Sequence, residues 1–148
     1  MSTTSQVTVV TDTDLAWAAG IIDGEGSISL ARCKRQGKDE TYSLRVQVGN
    51  TDPRMILRLK ELFGGSIPKV ENRGRYKPMW RWILYGNAAA VFLTSVLPYL
   101  VSKRDQAECG LTSRSLLRPR WNKKPEPEKL AGLRLIHDRM RALKQGTA

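Results

Sequence analysis

The segment Ala18-Ala19-Gly20-Ile21-Ile22-Asp23-Gly24-Glu25-Gly26, near the start of the chain, joins a helical stretch to an acidic, glycine-rich end. Its two carboxylates lie at the C-terminal end of the predicted helix, where the helix dipole already places partial negative charge. A hard divalent cation such as Mg²⁺ removes this conflict, since it binds carboxylate, carbonyl and water oxygens. Gly24 has no side chain to shield its carbonyl. We therefore predict that Gly24 and Glu25 bind a metal ion, with a solvated glycine-rich turn as the alternative.

Hydrophobic periodicity divides the rest of the chain into strands and helices. The order is αββαββα with extra C-terminal helices, which is typical of an α+β fold with helices on one face of an antiparallel sheet. In the first strand, Ile28 and Leu30 share a parity that Arg32 and Lys34 continue, so we expect a bulge or twist there. The predicted elements are a helix at 15–23 capped by Asp12 or Thr13, strands at 27–35 and 42–49, a helix at 53–63 capped by Thr51 or Asp52, strands at 66–71 and 79–85, and helices at 88–97 (capped by Asn87), 102–115 and 129–144.

The length of 148 residues, with 41% hydrophobic and 26% charged residues, predicts one globular domain. We expect a flexible tail at 1–11, a core at 12–116, and a Pro-rich linker with a C-terminal helix at 117–148 that packs on the same domain. Neither a membrane span nor a secretion signal is recognisable, so we expect a soluble intracellular protein of a bacterial or phage cytoplasm or an organelle. The residues Cys33, Cys109 and His137 lack zinc spacing, and reduced cysteines are the plainer alternative to a disulfide.

Positive charge dominates the chain, with 25 Lys and Arg against 14 Asp and Glu, a net +11. Residues 27–85 contain 13 basic and 5 acidic residues, a net +8, and the remainder contains 12 and 9, a net +3. This concentration in the predicted sheet region favours a polyanionic partner, with nucleic acid as the first candidate.

The sheet face that the helices leave uncovered is predicted to be basic. Arg45, Gln47 and Arg81 project from it, and such a surface can enter the DNA major groove, where Arg reads guanine and Gln reads adenine. An ordinary solvated sheet face is the alternative. The candidate DNA-binding residues are Ser29, Arg32, Lys34, Arg35, Ser43, Arg45, Gln47, Lys69, Glu71, Arg73, Arg75, Lys77 and Arg81.

The first helix has a second surface besides its core face. Leu15, Ala18, Ile21 and Ile22 are suited to the core, whereas a stripe of small side chains at helical spacing can admit another backbone. We predict that this stripe is a dimer interface, and its residues are Ala16, Ala19, Gly20 and Asp23.

The segment from Ala18 to Gly26 resembles the nine-residue motif of the LAGLIDADG homing endonucleases. Ala18 replaces the leading Leu of the motif, and Glu25 stands where the second acid is usually Asp. One copy is present in the chain. The resemblance therefore implies a homodimer in which the motif helices of two subunits pack together and bring the two acids side by side above the DNA minor groove.

The resemblance extends from about residue 15 to 106 and implies roles for further residues. Glu25 and the Gly24 carbonyl match the metal ligands. Asn50 matches a residue that positions water or metal, Arg54 one near the scissile phosphate, and Lys103 one that polarises the hydrolytic water or stabilises the transition state. For Asn50, Arg54 and Lys103, a plain surface role is the alternative.

The activity that the resemblance implies is metal-dependent hydrolysis of DNA by an intron-encoded, site-specific endonuclease. The expected metal is Mg²⁺, with Mn²⁺ able to substitute and Ca²⁺ expected to bind without supporting cleavage. The expected product is a double-strand break with short 3′ overhangs in a long pseudo-palindromic target. The expected partners are double-stranded DNA and a second copy of the chain, with no membrane and no small-molecule substrate. An intron RNA splicing maturase and a noncatalytic DNA-binding regulator are the alternatives, and the intact Asp23-Gly24-Glu25 favours cleavage.

Overall fold

The computed structural model of the chain describes residues 9–34, 40–68, 70–116 and 127–146. The predicted α+β order is confirmed, with further helices after the αββαββ series. The elements are α1 (Asp12–Glu25), β1 (Gly26–Lys34), β2 (Glu40–Asn50), α2 (Pro53–Phe63), β3 (Glu71–Arg73), β4 (Tyr76–Tyr85), α3 (Gly86–Val96), a 3-10 turn (Leu97–Tyr99), α4 (Arg104–Leu116) and α5 (Pro127–Gln145). Within these described ranges, no helix has the length and apolar character needed to cross a membrane.

The sheet is antiparallel, with the strand order β1-β2-β4-β3. The pairing of β1 with β2 runs without interruption from Gly26 opposite Val48 to Lys34 opposite Glu40. Of the two predicted alternatives for β1, a bulge or a twist, the bulge is therefore wrong. Arg32 follows the parity of Leu30 but is exposed, so the change to polar residues marks the end of the helix-covered surface rather than a change of register.

The third strand is much shorter than the predicted span of residues 66–71. Only a single bridge joins Ser66 to Ile83 before β3 begins at Glu71. Pro68 lacks the N–H group that a ladder requires, and Gly65 has a φ of 91° that does not belong to a strand. The β3–β4 hairpin closes at residues 74–75 instead of across the predicted loop at 72–78.

The core lies between the sheet and the helices. The sheet buries the side chains of Val46, Trp82 and Leu84, and the helices cover them with apolar residues. The indole N–H of Trp82 donates a hydrogen bond to the Gly64 carbonyl at 2.7 Å, and its ring meets that of Phe92 edge-on at 5.3 Å. These contacts hold the end of α2 against β4 and fix the sheet on which the basic residues lie.

The helix ends differ from the prediction in two places. Thr11 caps α1 in a reciprocal capping box with Asp14, so neither Asp12 nor Thr13 is the cap. Asp52 caps α2 before Pro53, as predicted. Asn87 lies inside α3 rather than at its cap, and its amide oxygen accepts a hydrogen bond from Arg114 of α4 at 3.2 Å.

The last helix, α5, packs against β1 and α4. Its Leu133 forms a small apolar cluster with Leu30 and Tyr42, next to the main core. This packing sets the direction of α5, so that its C-terminal end reaches the start of β1.

Candidate active site at the end of the first helix

The helix α1 passes directly into β1 without a loop. Glu25 is the last residue of α1, and the N–H of Gly26 donates a hydrogen bond to the Ile22 carbonyl. A Cβ at position 26 would lie 2.7 Å from the Ile22 Cα, so only glycine fits this junction. The tight junction holds Glu25 at the edge between the helix end and the sheet.

The Glu25 side chain is exposed, and within the described ranges its carboxylate has no hydrogen-bond or ion-pair partner. Gly24 is also exposed, and a Cβ there would meet nothing within 4 Å. A carboxylate without an internal partner, next to open backbone, fits the donor set that Mg²⁺ uses. In the described part of the chain, no cluster of three or more acidic, His or Cys side chains is present. The remaining ligands would come from water and from phosphate oxygens, as is usual for Mg²⁺.

Asp23 fixes the loop after the 3-10 turn to the end of α1. Its carboxylate accepts hydrogen bonds from the backbone N–H groups of Val101 and Lys103, both at 2.9 Å. Burial by itself raises the pKa of Asp23, but these N–H groups, together with Ser102, outweigh it and lower the pKa below its ordinary value. The Asp23 carboxylate is therefore hydrogen-bonded within its own subunit, and its predicted place in a dimer interface stays a prediction.

We expect Asp23→Asn to lower the free energy of unfolding by about 2 kcal/mol at neutral pH, because it weakens hydrogen bonds to a charged acceptor. A carboxyl group with a lowered pKa stabilises the fold above its ordinary pKa of 3.8, and the stabilisation is lost as the pH falls through the folded value. The difference between variant and wild type should therefore shrink in acid. Urea denaturation at neutral and acidic pH measures it, with Asp138→Asn as the exposed control. An equal loss at both pH values would contradict this role of the charge.

Lys103, for which the resemblance implies a catalytic role, lies at the motif. Its Nζ donates hydrogen bonds to the carbonyls of Ile22 at 2.9 Å and Asp23 at 3.1 Å. The ammonium group thus faces the negative end of the α1 dipole, at carbonyls that lie two and three residues before Glu25 in the chain. Lys103 and Glu25 are brought to the same helix end from positions far apart in the sequence.

Asn50 and Arg54 stand at the end of the sheet at which Glu25 lies. Because Gly26 pairs with Val48, the last residues of β2 run alongside the end of α1. The Asn50 side-chain oxygen accepts a hydrogen bond from the Asp52 N–H at 2.8 Å. Arg54 forms a two-bonded ion pair with Asp52, at 2.8 and 3.0 Å, and remains 89% exposed. Within the described chain, no hydrogen bond joins either residue to Glu25, so their predicted roles stay predictions.

The sheet face opposite the core carries part of the predicted basic surface. Ser29 pairs with Arg45, and Gly49 pairs with Arg81, so these side chains share the uncovered face. Ser43 and Gln47 lie on the same face by parity, and all are partly exposed. Arg75 and Lys77 are exposed at the β3–β4 hairpin.

Several other predicted DNA-binding residues lie off the uncovered sheet face or outside the part of the chain that the structure describes. Arg32 pairs with Tyr42 and so has the parity of the helix-covered residues, but it is exposed beyond the end of that surface, and its DNA-binding role stays a prediction. Arg35 and Lys69 lie outside the described residues, and only the backbone is described for Lys34, Glu71 and Arg73.

The exposed stripe of α1 also differs from the prediction. Ala16 and Gly20 are exposed, but Ala19 is fully buried in the core of its own chain, because it faces the same side as Ala18 and Ile22. Trp17, 38% exposed, joins Ala16 and Gly20 instead. A Cβ at Gly20 would meet nothing within 4 Å. Val101, 83% exposed, extends the apolar surface beside Asp23.

The sequence interpretation missed one residue at the site. Lys144, from the last turn of α5, places its Nζ 3.4 Å from the Ser27 hydroxyl, immediately after the motif. Burial lowers the pKa of Lys144, and the charges of Arg45 and Lys103 lower it further. No local pattern signals this contact, because it joins the two ends of the chain and depends on the direction of α5.

No protein-family model matches the sequence, and no curated protein matches it. Solved structures do match. The homing endonuclease I-CvuI, in complex with the I-CreI target, is 25% identical with a TM-score of 0.76 over 88% of this chain and 82% of its own. The archaeal intron-encoded homing endonuclease I-Vdi141I, complexed with DNA, is 12% identical with a TM-score of 0.73 over 89% and 84%.

A further match has a longer chain. The meganuclease I-SmaMI, bound to DNA, is 20% identical with a TM-score of 0.68, and the match covers 91% of this chain but 47% of I-SmaMI. The present chain thus corresponds to about half of I-SmaMI and to most of I-CvuI and I-Vdi141I.

Proposed function

The chain has the fold of the LAGLIDADG homing endonucleases, and from this premise we propose that it is a site-specific DNA endonuclease that makes double-strand breaks by metal-dependent phosphodiester hydrolysis. The observation that carries the proposal is the Glu25 carboxylate, which is free of internal partners at the end of α1 and has Lys103 bound to the same helix end. The I-CvuI complexes were obtained with calcium or with magnesium, and in the magnesium complex with the I-CreI target the DNA is not cleaved.

The open sheet face supports double-stranded DNA as the substrate. Arg45, Gln47 and Arg81 can form paired hydrogen bonds with base edges in the major groove, and the basic hairpin can contact the backbone. A dimer would present two such faces related by a two-fold axis. The target is therefore long and roughly palindromic.

A homodimer supplies the second cleavage site. Each chain contains one motif and one Glu25, whereas a double-strand break requires two bonds to be hydrolysed. The exposed surface formed by Ala16, Trp17 and Gly20, with Val101 beside Asp23, is apolar and lies on the helix that ends at Glu25. Packing two such surfaces together would bring the two carboxylates close enough to cut across the minor groove, leaving short 3′ overhangs.

The residues of the site have distinct tasks in this hydrolysis. Glu25 and the Gly24 carbonyl would hold Mg²⁺ or Mn²⁺, which when bound would supply Lewis-acid polarisation of the phosphate and activation of water, whereas Ca²⁺ is expected to support binding alone. The Lys103 ammonium offsets the negative charge that grows on the phosphate. Asn50 accepts from Asp52 through its oxygen, so its NH₂ group can donate to water or phosphate. Arg54 keeps N–H groups for a phosphate beyond those bound to Asp52.

The comparisons give no support to an intron RNA splicing maturase or to a noncatalytic DNA-binding protein. Cleavage of a plasmid library in Mg²⁺, followed by sequencing of the ends, tests the proposal. We expect linear products cut at one family of sites, the same products in Mn²⁺, and binding without cleavage in Ca²⁺. Tight binding to one site that is cut in neither Mg²⁺ nor Mn²⁺ would overturn the endonuclease proposal.

Lys103→Met is expected to slow cleavage of a selected target by roughly 10–100-fold, the usual loss when a group supporting metal ligands is removed. We expect this loss because Lys103 donates hydrogen bonds to the carbonyls of Ile22 and Asp23, which precede the metal ligands Gly24 and Glu25. Single-turnover cleavage at saturating enzyme measures the effect. Lys60→Met, an equal charge change on exposed α2, is the matched control. An unchanged cleavage rate would restrict Lys103 to capping α1.

A further inference from the structure

The end of α5 meets the open sheet face beside the motif. The Lys144 Nζ lies 3.4 Å from the Ser27 Oγ, and Ser27 is two residues after Glu25. Ser29 follows on the same face of β1 and pairs with Arg45 of β2. Two hydroxyl groups, a guanidinium group and an ammonium group are thus gathered on one small area.

This area has more positive charge and more donors than its own chain satisfies. Among the described residues, no ion pair involves Arg45 or Lys144. The Arg45 Nε and the Ser29 Oγ are buried, and neither has a hydrogen-bond partner in the described chain. A buried donor without a partner costs about 1–3 kcal/mol. The charges of Arg45 and Lys103 also oppose the charge of Lys144.

An acceptor with negative charge would satisfy all of these groups together. A DNA phosphodiester group brings one charge and two unshared oxygens, and it accepts from Arg, Lys and hydroxyl donors. A base edge in the major groove brings no net charge and would leave the repulsion between Arg45 and Lys144 in place. The arrangement therefore favours the DNA backbone over a base.

We propose that Lys144, Arg45 and Ser29 bind one backbone phosphate of the DNA next to the cleavage site, so that α5 is part of the DNA-binding surface. This inference rests on the proposed function, and it moves Arg45 from reading a base to holding the backbone. The phosphate is bound whatever the local sequence, and the contact fixes the position of the duplex relative to Glu25.

The salt dependence of DNA binding in Ca²⁺ tests the inference. Each phosphate neutralised by a cation contributes about 0.9 to the slope of log K against log salt. For a dimer, the double variant Arg45→Met/Lys144→Met, which removes both cations from the phosphate, should reduce the magnitude of the slope by about 1.8, and Lys144→Met alone should reduce it by a smaller amount. Both reductions should be equal on a selected target and on a duplex of random sequence. Lys60→Met should leave the slope unchanged, and Lys144→Arg should retain it.

A structural role for Lys144 predicts that Lys144→Met lowers the melting temperature of the DNA-free protein, whereas the phosphate site predicts an unchanged or raised melting temperature. Burial and neighbouring charge disfavour its ammonium group, so removing the charge should leave the DNA-free protein as stable as wild type or more stable. Lys144→Met with a raised or unchanged melting temperature and a reduced salt slope supports the phosphate site. A slope equal to that of Lys60→Met overturns it.

Other outcomes separate this inference from the proposed function. A loss of affinity confined to the selected target would assign base reading to this area and overturn the phosphate site. A reduced slope with a wild-type protein that cuts no DNA would support the phosphate site while the endonuclease proposal fails. If the wild type cleaves DNA and Lys144→Met leaves the salt slope unchanged, the endonuclease proposal stands and the phosphate site is overturned.

Discussion

Glu25→Gln is expected to abolish DNA cleavage while leaving the fold and DNA binding intact. Glutamine keeps the size of the side chain but removes the charge with which a carboxylate holds Mg²⁺. Loss of a group that only supports the metal ligands typically costs about 10–100-fold, so loss of the carboxylate that binds the metal itself should cost more than about 100-fold. Exposure of Glu25 and the absence of an internal partner within the described chain predict an unchanged melting temperature.

Two measurements check this expectation. Single-turnover cleavage of a selected target in Mg²⁺ gives the rate, and affinity for the same target in Ca²⁺ or without metal gives the binding. Glu128→Gln, the same change at an exposed position in the first turn of α5, is the matched control and should cut at the wild-type rate. A Glu25→Gln enzyme that cuts within tenfold of wild type would show that another group holds the metal.

The sequence predicted the fold where local rules and packing agree. In β2, polar and apolar residues alternate cleanly, and Leu44, Val46 and Val48 are all fully buried. At α2, the pair Asp52-Pro53 determines the start of the helix by itself. At β3 the composition was strand-like, but Pro68 and the positive φ of Gly65 interrupted the ladder. The effect of Pro68 and Gly65 depends on the backbone conformation of neighbouring residues, which hydrophobic periodicity does not predict.

The candidate site was predictable only in part, because its parts depend on different ranges of structure. Glu25 and its position at a helix end follow from local sequence alone. Lys103 required a resemblance, since its contact with Ile22 spans 81 residues. Lys144 required the packing of α5, whose contact with Ser27 spans 117 residues.

The small residues of α1 also depend on packing that the local sequence does not show. Helical spacing groups Ala16, Ala19 and Gly20 within one broad stripe, but a helix surface is continuous and the boundary of its buried sector depends on the neighbouring elements. The structure places Ala19 inside that boundary and Gly20 outside it. Of the predicted stripe, Ala16 and Gly20 are therefore exposed and available to a second subunit, together with the flanking Trp17.

Gly20→Leu is expected to weaken the proposed homodimer and cleavage together. Overpacking of a close contact costs about 1–3 kcal/mol, and two such contacts related by symmetry would add to this. Each 1.4 kcal/mol raises the dissociation constant tenfold. Sedimentation velocity over a range of concentrations measures the association, and cleavage of both strands of a selected target measures the activity. Ala131→Leu, at an exposed position on α5, is the matched control.

The stability of the folded monomer should be unchanged or raised by Gly20→Leu, in contrast to the stability of the dimer. A side chain at position 20 meets nothing within 4 Å in the single chain, and replacing a helical glycine stabilises a helix by about 0.5–1 kcal/mol. A loss of association with an unchanged or raised melting temperature would therefore locate the effect at the interface rather than in folding. A wild-type protein that is monomeric and cuts both strands would overturn the homodimer, and a Gly20→Leu dimer of normal affinity would move the interface away from α1.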